Sequence, residues 1–143
     1  MLGRLARMLR LLGYDTLYSP GMTVARLREI AGEAGRMVLT RGQSEKRFPG
    51  VSYVYTVRSE HHPEQLREVV RRFELDTKSG LWTRCTLCNG GIEPVETASV
   101  KSQVSPRIPD LYNEFFRCKD CGHVYWKGSH TERVLKNLAS LLA

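Results

Sequence analysis

Two Cys-x-x-Cys pairs constrain the fold of this chain more than any other sequence feature. Cys85 and Cys88 form the first pair, Cys118 and Cys121 form the second, and 29 residues separate the two pairs. A pair at this spacing places two thiolates on one tight turn. Two such turns brought together by a hairpin give the tetrahedral four-sulfur shell that structural Zn²⁺ prefers. The spacing therefore predicts a zinc ribbon with these four cysteines as ligands.

The same cysteines have two other interpretations. Disulfide bonds require an oxidising compartment, which nothing else in the sequence indicates. A redox pair would not need to be duplicated, and the first pair does not lie between a strand and a helix. His123 and His130 are alternative metal ligands, but four thiolates already complete a tetrahedral shell, so we expect neither histidine to bind the metal.

Positive charge is concentrated in the N-terminal half of the chain. Residues 1–84 hold 15 basic and 9 acidic residues, whereas residues 85–143 hold 7 and 6. Small basic proteins tend to bind polyanions such as RNA, DNA or an acidic membrane surface. No apolar run approaches the roughly 20 residues that span a bilayer. We therefore expect a cytoplasmic protein without a membrane partner.

Hydrophobic periodicity predicts an α/β fold for the N-terminal half. Predicted helices cover residues 2–12, 23–34 and 63–73. Predicted strands cover residues 15–18, 36–40 and 52–57. Strands that alternate with helices indicate βαβ units and a mainly parallel sheet, whose functional edge lies at the carboxyl ends of the strands.

A polar stretch from Asp76 to Gly80 reads as a linker or long turn between two domains. We expect an α/β domain over residues 1–80 and a zinc ribbon with a C-terminal helix over residues 81–143. Ser129 and Glu132 have the spacing of a capping box, which predicts the start of that last helix.

Several segments, taken in order, resemble one protein family. They are MLGRLARMLRLLGYDT, MVLTRG, YVYTVRSE with PEQLREVVRRF, RCTLCNG and FFRCKDCGHVYWKGSH. The series is similar to the C-terminal RNase domain family first described in the Mut-seven exonuclease. The resemblance spans nearly the whole chain. It implies a PIN-like parallel sheet with flanking helices, here truncated, followed by a four-cysteine zinc ribbon and a C-terminal helix. It also implies metal-dependent ribonuclease ancestry and an RNA partner.

The chain departs from this family at positions that hold the catalytic metal. PIN-like nucleases bind Mg²⁺ or Mn²⁺ with clustered carboxylates, and the metal activates water for phosphoryl transfer. One family Asp ends a strand before the first helix, but Met1 already lies in that helix, so the first strand is expected to be missing. A second Asp position is Gly42. Asp15 matches the family and is the remaining catalytic candidate.

Three functions remain open from the sequence. The first is an RNA-binding protein of ribonuclease ancestry with weak or no catalysis, for which structured RNA, ribosomal RNA included, is a candidate target. Its expected phosphate contacts are Arg4, Arg7, Arg10, Arg41, Lys46, Arg47 and Arg58. The second is an active metal-dependent ribonuclease, which would use Mg²⁺ or Mn²⁺ and would need either Asp15 with Glu45 or residues lost from an incomplete N-terminus. The third is a ribosome- or protein-docking module anchored by Trp82, Tyr125 and Trp126 at the ribbon.

Overall fold

The computed structural model describes residues 2–42 and 45–143 of the chain. Its helices are α1 (Gly3–Leu11), α2 (Val24–Ala34), α3 (His62–Phe73), α4 (Thr97–Val100), α5 (Ile108–Leu111) and α6 (Ser129–Leu142), with a single 3₁₀ turn at Glu45–Arg47. Its strands are β1 (Val38–Thr40), β2 (Val54–Thr56), β3 (Ile92–Val95), β4 (Phe115–Cys118) and β5 (Val124–Trp126). None of these helices combines the length and apolar character needed to cross a membrane.

The chain divides into two compact units. The first unit contains the residues up to Met8 together with Thr16–Leu75. The second unit contains Leu9–Asp15 together with Asp76–Ala143. Helix α1 therefore contributes its first two turns to the first unit and its last residues to the second.

A small parallel sheet forms the centre of the first unit. Strands β1 and β2 pair in parallel, with Leu39 opposite Tyr55. Helix α2 starts at Thr23, whose side chain accepts the Arg26 N–H, and it ends at Gly35 in the left-handed region. The hydrophobic core beside the sheet consists of buried Ala31, Val38 and Phe48, packed with Val24, Leu27, Val51 and Val54. The predicted helices and the parallel pairing are confirmed in this unit.

The strand predicted for residues 15–18 is wrong. In the part of the chain that the structure describes, these residues pair with no strand, and the parallel sheet has two strands rather than three. Leu17 and Tyr18 remain largely exposed. A short segment with β-type residues joins a sheet only where it finds an edge to pair with and apolar surface to cover, and this segment buries little.

An antiparallel sheet with the order β3-β4-β5 forms the centre of the second unit. Its core residues are Val100, Phe115 and Val124, packed with Val95, Val104, Ile108, Tyr112 and Trp126. The predicted C-terminal helix is present as α6, but the predicted capping box is wrong. The N-cap residue is Gly128, which has no side chain to form a capping hydrogen bond, and Ser129 is already the first helical residue. The Thr131 hydroxyl instead donates to the Trp126 carbonyl at 3.0 Å.

Candidate metal centre and nucleic-acid interface

The four cysteine sulfurs of the second unit converge on one point. All four Sγ atoms lie within 4.8 Å of one another. The Cys88 and Cys118 sulfurs are 3.3 Å apart, and those of Cys85 and Cys121 are 3.7 Å apart. Four sulfurs placed about 2.3 Å from a central zinc would be separated by about 3.8 Å, whereas a disulfide brings two sulfurs to about 2.05 Å. The group therefore fits a tetrahedral thiolate metal site.

Backbone N–H groups of the two turns point at these sulfurs. Gly90 N–H donates to Cys88 Sγ at 3.4 Å, and Asp120 and Cys121 N–H groups donate to Cys118 Sγ at 3.4 and 3.5 Å. A Cβ atom added at Gly90 would clash with Asp120 Oδ2 and would lie 3.0 Å from Cys118 Sγ, tighter than most real Cβ contacts. Any larger residue there would force the second cysteine turn to shift. The turns are built to hold negatively charged sulfur, because N–H groups stabilise a thiolate.

The surroundings of Cys85 favour its thiolate form. Burial raises the pKa of its thiol, but hydrogen bonds from the Tyr125 hydroxyl and from the Cys88 and Leu87 N–H groups outweigh burial and lower the pKa to about 7. The Tyr125 oxygen lies 3.0 Å from Cys85 Sγ. Burial and the neighbouring thiols raise the pKa of Cys88 to about 12. Sulfurs this close resist ionising together unless a cation offsets their repulsion, which is the property of a metal-binding cluster.

Arg10 is buried against the first cysteine turn. Its side chain is 6% exposed, and Nη1 donates to the carbonyls of Thr86 and Leu87, both at 3.1 Å. Arg10 was expected to contact phosphate together with Arg4 and Arg7, but it is buried in the structure, whereas Arg4 and Arg7 are exposed. The helical pattern of the sequence places Arg4, Arg7 and Arg10 on one polar face of α1. It does not show that a turn distant in the chain covers this face at Arg10.

Asp15 is also bound to the first cysteine turn. Its Oδ1 accepts from Asn89 Nδ2 at 2.7 Å and lies 4.0 Å from Arg84 Nη1. Asn89 is buried, adopts a positive φ of 74°, and its carbonyl accepts from Arg84. Sequence reasoning missed Asn89. The signal for it was an asparagine directly after the second cysteine of a tight turn, where a left-handed residue is needed.

At the carboxyl end of the parallel sheet, Arg41 is occupied by backbone carbonyls. Its Nη1 lies 3.2, 2.7 and 3.0 Å from the carbonyl oxygens of Val57, Arg58 and Ser59. Nη2 lies 3.6 Å from a carboxylate oxygen of Glu60. Arg41 was predicted as a phosphate contact because it follows a strand. In the structure its guanidinium group holds the end of the neighbouring strand.

Glu68 binds the other side of the same loop. Its carboxylate accepts the N–H groups of Arg58 and Ser59 at 2.9 and 3.1 Å, and the Tyr55 hydroxyl at 2.8 Å. Burial raises the pKa of Glu68, but the two N–H bonds and the tyrosine hydroxyl outweigh burial and lower it. The loop after β2 is thus fixed through its carbonyls by Arg41 and through its N–H groups by Glu68.

The remaining predicted residues have different surroundings. The side chains of Lys46, Arg47 and Arg58 are exposed. Gly42 follows Arg41 with a φ of 65°, and among the described residues other than its chain neighbours no atom lies within 4 Å of where its Cβ would be. The side chain of Glu45 lies outside the described residues. His123 and His130 are not part of the sulfur group among the residues described, and the His123 ring packs on Tyr125.

The three predicted docking aromatics are half-buried rather than presented to solvent. Trp126 packs on Phe115 with ring centroids 6.3 Å apart, and Tyr125 bonds Cys85. Trp82 adopts a positive φ of 63°. Tyr125 and Trp126 therefore take part in packing around the core and the cysteine cluster.

These features define a protein with two units, a small α/β unit with a parallel sheet and a ribbon whose four cysteines cluster as a metal site. The chain belongs to the Mut7-C RNAse domain family, whose model matches residues 1–138. Family membership confirms the resemblance seen in the sequence and supports a ribonuclease-related function on nucleic acid. No curated protein and no solved structure matches the chain.

Proposed function

We propose that this protein binds structured RNA through the basic surface of its first unit, and that it has little or no ribonuclease activity of its own. The ribbon is a structural zinc site in this proposal. The observation that carries it is Gly42, which stands where the family resemblance places a metal-binding aspartate. A hydrogen side chain supplies no oxygen ligand for Mg²⁺ or Mn²⁺.

The surroundings of Asp15 support the same proposal. Asp15 is the carboxylate that matches the family, and it already accepts a 2.7 Å hydrogen bond from Asn89 and faces Arg84. These are the contacts of a residue that ties the chain to the cysteine turn. An active ribonuclease would need Asp15 to leave these partners or to share its oxygens with a metal.

The basic residues supply what an RNA-binding surface requires without a catalytic metal. Arg4, Arg7, Lys46, Arg47 and Arg58 are exposed in the first unit. Arginine and lysine side chains neutralise phosphates and release counterions, so affinity falls as salt rises. Arg10 and Arg41 are not part of this proposed surface, because their guanidinium groups are bound to backbone carbonyls.

The RNA-binding proposal predicts a change in salt dependence when Arg4 and Arg7 are replaced. The Arg4→Gln/Arg7→Gln double variant should bind a labelled RNA hairpin more weakly than the unmodified protein. The slope of log affinity against log salt should flatten by up to about two phosphate contacts, since each contact contributes somewhat less than one. Fluorescence anisotropy at four salt concentrations measures both quantities.

A matched control separates a binding surface from a loss of total charge. The Arg26→Gln/Arg67→Gln variant removes the same charge from arginines that already pair with Glu29 and Glu64. It should retain most of the slope. Equal slopes for the two double variants, or no binding of the hairpin by the unmodified protein, would refute the proposed surface. Binding of a protein partner at high salt without RNA would favour the docking module instead.

A further inference from the structure

An aromatic group with one arginine lies on the first unit and includes none of the candidate site residues expected from the sequence. We name it the tyrosine–arginine cluster: Tyr53, Tyr55, Arg72 and Phe73. The Phe73 ring meets the rings of Tyr53 and Tyr55 edge to face, with centroids 5.9 and 5.3 Å apart. Tyr53 remains 42% exposed. The cluster therefore presents an aromatic side chain to solvent on a rigid support.

The guanidinium group of Arg72 is held in place by this cluster. Its central carbon lies 5.8 Å from the Tyr55 ring centroid and 5.5 Å from that of Phe73. Nη2 donates to the Tyr53 hydroxyl oxygen at 2.8 Å. A guanidinium group has five N–H donors, and within the described residues the other four donors of Arg72 have no partner. An arginine fixed in this way loses little side-chain freedom when it binds an anion.

Arg72 differs from the other oriented arginines of the protein. Arg10 and Arg41 are also oriented, but backbone carbonyls accept their N–H groups and both are shielded from solvent. Arg71 is exposed in the same last turn of α3, yet it contacts no aromatic ring among the described residues. Arg72 alone of these four combines a fixed orientation with unpaired donors and an adjoining aromatic surface.

Tyr53, the exposed ring of the cluster, lies at the amino end of the parallel sheet, and Tyr55 lies within β2. Tyr53 comes directly before β2, and its carbonyl accepts the Val38 N–H at the start of β1. Met37, beside it before β1, is also exposed. Gly42 and Arg41 follow the carboxyl end of β1, so Tyr53 lies at the opposite end of the sheet from the position of the family's catalytic metal.

We infer that the tyrosine–arginine cluster binds one unpaired nucleotide of an RNA. The base stacks on the exposed part of Tyr53 and the guanidinium plane of Arg72, and the adjoining phosphate accepts the free N–H groups of Arg72. Proteins commonly bind unpaired RNA bases by stacking them on aromatic rings and arginine guanidinium planes. A phosphate accepts two parallel N–H hydrogen bonds from a planar guanidinium group. This inference rests on the proposed RNA-binding function and extends it to single-stranded segments.

The test compares RNA with a chain that lacks bases. The probes are a labelled six-nucleotide oligoadenylate and an abasic ribose–phosphate chain of the same length and charge. The unmodified protein should prefer the oligoadenylate by about tenfold, since base stacking on a protein side chain typically changes affinity by this order. Arg72→Gln and Tyr53→Ala should lose most of this preference.

Arg71→Gln is the matched control, because it removes the same charge from the same helical turn without touching the cluster. It should weaken the binding of both probes equally and keep the preference for bases. Circular dichroism checks that all variants are folded, and Tyr53→Phe provides a milder variant that removes only the hydroxyl bond to Arg72. It should give an intermediate preference.

Two results would overturn the inference. The first is an Arg72→Gln variant that keeps the base preference of the Arg71→Gln variant. The second is an unmodified protein that binds both probes equally. In either case salt-dependent binding of the RNA hairpin would leave the proposed function standing, whereas loss of hairpin binding would remove that function itself.

Discussion

At the residue scale, the arginines of this protein are distinguished by what their guanidinium groups already bind. Arginine cannot be deprotonated in a protein, so burying it requires acceptors for its N–H groups. The carbonyls of Thr86 and Leu87 accept hydrogen bonds from Arg10. A carbonyl of the loop after β2 accepts a hydrogen bond from Arg41. Arg4 and Arg7, by contrast, are exposed on α1. Sequence position alone does not separate these two groups, because the acceptors are distant in the chain.

The position of Arg10 predicts a role in zinc retention. Arg10→Gln shortens the side chain and removes its charge, which leaves two carbonyls of the first cysteine turn without their donor. Residues that support metal ligands in this way commonly change metal affinity by about 10- to 100-fold. Zinc should therefore pass to a colorimetric chelator at least about tenfold faster from the variant. Arg7→Gln, an exposed change on the same helix, is the control, and equal release rates from both variants would contradict the prediction.

At the element scale, features that depend on contacts between residues close in the chain are predictable from the sequence, whereas features that depend on distant contacts are not. Helices α1, α2, α3 and α6 were predicted because each has an apolar face of several turns. The convergence of the cysteines was predicted because each pair is local and a hairpin joins them. Helices α4 and α5 were missed, since four residues are too few for a periodic pattern.

The candidate site shows the same dependence on range. The exposure of Arg4 and Arg7 follows from the helical pattern, which residues close in the chain define. The bonds of Arg10 to the cysteine turn and of Asp15 to Asn89 join residues more than 70 positions apart. No local sequence pattern encodes such bonds. They could therefore not be predicted for Arg10 and Asp15.

The ribbon as an element predicts one bound zinc per chain. Cys118 is buried, and its sulfur accepts two backbone N–H groups. Cys118→Ser should abolish zinc binding and unfold the ribbon, because structural zinc contributes on the order of 10 kcal/mol to the folding of such sites. Metal analysis gives the zinc content, and hydrogen exchange should show that α2 and α3 stay protected.

His130→Ala is the matched control for this experiment, since His130 lies outside the sulfur group and the variant should keep its zinc. Two findings would refute the structural zinc site. One is native protein without zinc, and the other is a disulfide between Cys85 and Cys88.

At the scale of the whole molecule, RNA binding and RNA cleavage have separate requirements. Binding requires positive charge, and the chain has a net charge of +7, most of it in residues 1–84. Cleavage by the family's chemistry requires carboxylates that hold a divalent cation. Gly42 supplies none, and Asp15 is bound to Asn89. The protein as a whole therefore has the positive charge that the proposed RNA binding requires, whereas Gly42 lacks the carboxylate that cleavage requires.

This separation predicts that catalysis depends on position 42. The unmodified protein should cleave labelled RNA in Mn²⁺ no faster than in chelator. A Gly42→Asp variant that also carries the family's first strand with its Asp ahead of α1 should gain chelator-sensitive cleavage. Among the described residues other than its chain neighbours, no atom lies within 4 Å of the Cβ position, and aspartate is among the side chains that best tolerate the strain of a φ of 65°. Gly42→Asn reproduces the shape and the backbone conformation without the charge, so it should remain inactive. Strong chelator-sensitive cleavage by the unmodified protein, abolished by Asp15→Asn, would instead establish an active ribonuclease, because it would show that Asp15 binds the catalytic metal despite its bond to Asn89.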